Sequence, residues 1–182
     1  MEPGKKIEKI PFTEQEFKDL LSHIDVIVEN LNKLITTDWK TVAIRKLIPI
    51  LEFNAFISRL RKNEIEAIIS NLKATKNILR YEYNRTKGHL DRRTLQTVEE
   101  HIRQVKKHIE ELKTFLEKAE EGLLITLQNS ISFIMNLLRK IPKLIEPLKT
   151  LSLIIGATIV GSVALSGFIL YNILRTKRKL GI

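Results

Sequence analysis

The chain has 182 residues, with 31 Lys and Arg against 21 Asp and Glu, and so a net charge of +10. It holds no Cys, which excludes a disulfide framework, thiol catalysis and Cys-ligated zinc or iron–sulfur centres. Seven Gly and five Pro without biased tracts exclude collagen-like and low-complexity classes.

Residues 1–12, MEPGKKIEKIPF, are read as a flexible leader. They lack the apolar stretch of a signal peptide. Thr13 then sits where a helix N-cap belongs, and Glu16 completes a capping box, with Phe12 and Phe17 in the staple positions. Phe17, Leu21, Ile24, Val28, Leu31 and Ile35 recur four and three apart and predict one apolar stripe. Thr37 and Asp38 end this helix and cap the next. The second helix, about 39–62, contains Pro49, which lacks a backbone donor and predicts a kink or break. Residues 47–57 are apolar nearly all round, and such a stretch is expected at the centre of a core. A third helix, about 63–85, presents Ile65, Ile68, Leu72 and Leu79. Lys87-Gly88-His89 reads as a turn, and Asp91 as the cap of a fourth helix.

The helix at 91–121 has the most regular pattern. Leu95, Val98, Ile102, Val105, Ile109, Leu112 and Leu116 are spaced three and four apart, with charged and polar residues at most positions between them. A seam of that period means either a long bundle helix within the chain or a coiled coil with partner helices or a second copy. Gly122 marks an interruption, and the stripe resumes as Leu124, Leu127, Ile131, Ile134, Leu138 and Ile141. The charge-free stretch 123–138 carries Gln128, Asn129 and Asn136. It admits three readings: a bundle helix, an interfacial helix, or one arm of a membrane hairpin. Pro142 and Pro147 make 142–150 a joint.

Leu151 to Leu174 is a 24-residue run without a charge. About 20 apolar residues at ~1.5 Å rise cross a ~30 Å hydrocarbon core, so a transmembrane helix is expected. Residues 175–182 form a basic tail with Arg175, Lys177, Arg178 and Lys179. A span placed after the body predicts a tail-anchored, single-pass membrane protein with its body in the cytoplasm. The positive charges of the tail argue the other way, and Arg139, Lys140, Lys143 and Lys149 on the near flank oppose them. The expected fold is therefore all-α: an elongated helical bundle or coiled coil of about five helices over residues 13–141, followed by a single C-terminal transmembrane helix.

Charge is uneven along the chain: residues 1–38 carry −3 and residues 39–90 carry +7. Lys73, Lys76, Arg80 and Lys87 share a face, with Tyr81 and Tyr83 nearby. That stripe fits a solvated face paired with the acidic first helix, a contact with anionic lipid, or, less specifically, a contact with nucleic acid. His23, His89, His101 and His108 form no ligand motif, and no phosphate-binding or nucleophile motif occurs. No cofactor, metal or catalytic residue is expected. The leading functional expectation is a non-enzymatic tether, scaffold or structural subunit on a lipid bilayer. Two others remain open: a holin- or pore-like protein inserting 123–138 and 151–174 as a hairpin, and a membrane-attached nucleic-acid-binding or virion component.

Overall fold

A computed structural model describes residues 8–141. The joint, the apolar run at 151–174 and the tail with Arg175, Lys177, Arg178 and Lys179 lie outside the described residues, as do residues 1–7. Within them the order is β1 (Lys9–Pro11), α1 (Glu14–Thr36), α2 (Trp39–Arg45), α3 (Ile50–Arg59), α4 (Lys62–Thr86), β2 (His89–Asp91), α5 (Arg92–Ala119) and α6 (Glu121–Arg139).

The long helices α1, α4, α5 and α6 form an up-down-up-down bundle. Helix α1 packs on α4 and α6, and α5 packs on the same two, so α1 and α5 face each other diagonally. Neighbours run antiparallel. Phe17 stacks on Tyr83 and Asp25 pairs with Lys76 between α1 and α4. Arg61 and Thr94 fix opposite ends of the α4–α5 contact, through Glu111 and Glu82.

The α1 N-terminus forms the expected capping box. The Glu16 amide donates to the Thr13 hydroxyl, and the Glu16 carboxylate accepts from the Thr13 backbone N–H and hydroxyl. The apolar stripe of α1 is centred one residue from the expected line. Phe17, Leu20, Ile24, Ile27, Leu31 and Leu34 are buried, whereas Leu21, Val28 and Ile35 are half-buried at its edge. Adjacent apolar pairs at 20–21, 27–28 and 34–35 left both lines open, and contact with α4 and α6 selects the first.

The heptad helix is α5, capped by Asp91, whose carboxylate accepts from the Arg93 amide. Leu95, Val98, Ile102, Val105, Ile109, Leu112 and Leu116 are all at most 1% exposed. Helices α4 and α6 cover the seam from both sides, and α3 covers its C-terminal end. The seam is thus filled from within the chain. The stripe of α6 is buried likewise, with Asn129, Ser132 and Asn136 exposed or half-exposed. The interruption falls at Glu120 rather than Gly122: Glu120 alone leaves helical geometry, at φ −156° and ψ 68°, and Gly122 lies inside α6.

The break expected at Pro49 does occur and divides the second helix into α2 and α3. Two sequence expectations need correction. The leader does not extend to residue 12, because Lys9–Pro11 pairs antiparallel with His89–Asp91, and Arg92 pairs with Glu8. Nor are residues 47–57 the centre of the core. Phe56 alone is buried there, while Leu47, Ile50, Leu51 and Ile57 are exposed.

Two outcomes are expected from this packing. Ile109→Ala opens a cavity at the middle of the seam and should cost about 2–5 kcal/mol, read from the shift in denaturation midpoint at unchanged slope. At α1, the hydrogen bonds from the Thr13 backbone and hydroxyl hold the Glu16 carboxyl below its ordinary range. A depressed carboxylate stabilises the fold above its unfolded value, and that contribution is lost as pH falls through the lower folded value. Thr13→Ala should therefore move the Glu16 titration upward in carboxyl NMR and destabilise α1 by about 1 kcal/mol at neutral pH.

Candidate interaction surfaces

The basic residues singled out in the sequence meet different fates in the fold. Lys73 and Arg80 are exposed on α4. Lys76 is half-buried and paired with Asp25 of α1. Lys87 has left the helix: it is the C-cap, in the left-handed region at φ 53°, with Gly88 at φ 96° behind it. The Gly88 amide closes the turn by donating to the Tyr83 carbonyl at 3.0 Å, and the Gly88 carbonyl accepts from the Phe12 amide at 2.9 Å. The stripe is therefore Lys73 and Arg80 in water, with Lys76 committed to the acidic first helix.

His101 and His108 do not form a joint site. His108 is buried with its Nε2 3.4 Å from the Glu64 carboxylate, and its Nδ1 has no partner among the described residues. It borders an open groove of about 350 Å³ between α4 and α5, with Arg61, Glu64, Asn71, Gln104 and Lys107. Arg61 already bridges Glu64 and Glu111. Among the described residues no group of three or more His, Asp or Glu is placed to hold a metal.

The most distinctive surface was missed in the sequence. It is the α2–α3 turn, at the end of the bundle where α1 ends and α4 begins. Trp39 anchors it: its indole N–H donates to the Leu34 carbonyl at 2.7 Å, and its ring meets Phe56 and Phe115 edge-on. Phe56 stacks on Phe115 at 3.9 Å, and Glu52 pairs with Lys118 at 2.6 Å. These contacts use the inner faces of both short helices. The turn itself points outward, with Ile44 65%, Leu47 88%, Ile50 73% and Leu51 79% exposed.

Helix α2 ends in a Schellman motif. The Ile48 amide donates to the Ala43 carbonyl at 2.9 Å, and the Leu47 amide to the Ile44 carbonyl at 3.2 Å. That geometry requires a left-handed residue at Leu47, whose φ is 52°, where Gly is the usual occupant. Pro49 comes next but one and prevents the helix from continuing. A bulky apolar residue is thus held in a costly backbone conformation with its side chain in water. The local signal was present in Ile44-Arg45-Lys46-Leu47: two adjacent cations inside an apolar run are not buried without partners.

No protein-family model, curated protein or solved structure matches the chain. Among the described residues, no helix is long and apolar enough to cross a membrane.

Leu47→Gly removes the left-handed strain and no packing. It should stabilise the bundle by about 1 kcal/mol in chemical denaturation. A loss of stability would show that the side chain supports the fold.

Proposed function

We propose that the chain is a non-enzymatic, membrane-anchored helical protein, a tether or structural subunit. Residues 8–141 are its body and 151–174 its single span. The observation that carries this reading is the 24-residue charge-free run, bracketed by Lys149 and Arg175. The bundle supports it by closing its own seam, which leaves a stable body for the span to hold. Helix α6 supports it against a pore-forming hairpin. Its Leu124, Leu127, Ile131 and Ile134 are buried against α1 and α5, and withdrawing them would dismantle the bundle. Within this reading we place the body on the cytoplasmic side; the cations on the two flanks of the run, four on each, nearly balance one another.

Carbonate extraction tests the anchor. The full chain should remain with the membrane pellet. Val160→Arg with Val163→Arg adds about 2.5–3.5 kcal/mol of insertion cost per charge near the centre and should release it. Release of the unsubstituted chain, or retention of the double variant, would overturn the reading. Protease added to sealed vesicles should digest the body from the cytoplasmic face alone.

A further inference from the structure

We propose that the α2–α3 turn is a docking tip for an anionic bilayer surface. Ile44, Leu47, Ile50 and Leu51 enter the headgroup region, and the cations beside them hold lipid phosphate and carboxylate groups. The tip and residues 151–174 are different segments, so this proposal stands apart from the anchor reading.

Four observations carry it. The first is exposure: four large aliphatic side chains within eight residues stand in water, each between 65% and 88% exposed. The second is strain: the Schellman motif needs a left-handed residue at 47, where Gly is the usual occupant, and the Cβ of Leu47 makes that position costly without any packing in return. The third is charge. Lys40, Arg45, Lys46, Arg59 and Lys62 are exposed and make no ion pair among the described residues. The two acids of the segment are engaged elsewhere, Asp38 in capping α2 and Glu52 with Lys118. Glu120 and Glu121 at the α5–α6 turn are exposed at the same end, so the bilayer contact lies on the α2–α3 side of it. The fourth is shape: the apolar side chains project from a turn, and a projecting tip suits a surface that yields to it. Peptide partners are bound in grooves or along sheet edges. An apolar tip rimmed with Lys and Arg is the composition that binds anionic interfaces, with apolar burial and charge attraction adding.

Charge also decides against the other occupants within the chain. A second copy meeting the tip by two-fold symmetry would set its cations against their equals. A standard interface also takes about 20–30 residues a side. The chain beyond Glu146 is no better matched, since every charged residue there is Lys or Arg. Helix α6 also ends at the opposite end of the bundle from the tip.

The test uses the full chain, whose lack of cysteine allows one labelled site. Leu47→Cys carries an environment-sensitive dye, and the chain is reconstituted in neutral carrier vesicles. Vesicles with brominated acyl chains are then added, either neutral or containing phosphatidylserine. Trp39, the single tryptophan and a buried one, reports that the labelled body is folded. The expected result is a blue shift and quenching with anionic vesicles alone, weakened by salt. Leu51→Glu should raise the lipid concentration needed by about tenfold. A dye at Asn129→Cys, exposed on α6, should stay unquenched. Equal response to neutral vesicles, or none to anionic ones, would overturn the proposal. So would a shift without vesicles that grows with protein concentration, which means a second copy, or one already complete in dilute protein, which means the chain's own apolar segment. A shift produced only by an acidic apolar peptide would assign the tip to a protein partner instead. Failure of the anchor shows separately, as chain that does not float with the carrier vesicles.

Discussion

The seam of α5 is the constraint from which the rest of the bundle derives. Its seven apolar residues repeat over the helix and are all but sealed from water. A stripe of that length needs two long partners, and α4 and α6 supply them from opposite sides. Helix α1 then closes the square by packing on the same two helices. Because α1 and α4 run antiparallel, α4 starts at the end where α1 finishes. The chain spends α2 and α3 at that end, and Trp39, Phe56 and Phe115 hold them there. The surface left uncovered is therefore local, at the α2–α3 turn, rather than spread along a helix face.

How much of this was legible depended on whether periodicity alone decided burial. In α5 it did: polar residues fill most positions between seam residues, so one face was available to bury. The Thr13–Glu16 capping box was equally plain, because its two hydrogen bonds are local to four residues. In α1, Leu20 and Leu21 are neighbours, as are Leu34 and Ile35, and sequence spacing cannot say which of each pair faces α4 and α6. The β1–β2 pair spans three residues a strand, too short for alternation to register, and joins segments about eighty residues apart.

The candidate site was the least legible part, for a different reason. Apolar density over 47–57 suggests burial, but density carries no direction. The inward face of α3 needs only Phe53, Phe56 and Leu60, because Phe115 and Trp39 fill the remaining space. Ile50 and Leu51 then fall on the outward side of the same short helix. The basic stripe on α4 is the reverse case, and one of its readings, pairing with the acidic first helix, is met by Lys76 and Asp25. Its charges were evident, yet only the fold brings Asp25 within reach of Lys76 and takes Lys87 out of the helix.

The one-residue joint at Glu120 has a mechanical consequence. Helices α5 and α6 are linked without a loop, and α6 ends at the far end of the bundle from the α2–α3 turn, which is fastened to α5 through Phe115 and Lys118. Tension between these two ends runs parallel to the helix axes. It loads the α5–α6 and α1–α6 contacts in shear, so successive layers of the seam resist together instead of peeling one at a time. Rupture under such a load is set by the unfolding rate rather than by equilibrium stability. A bundle joined in this way resists pulling along its axis better than pulling across it.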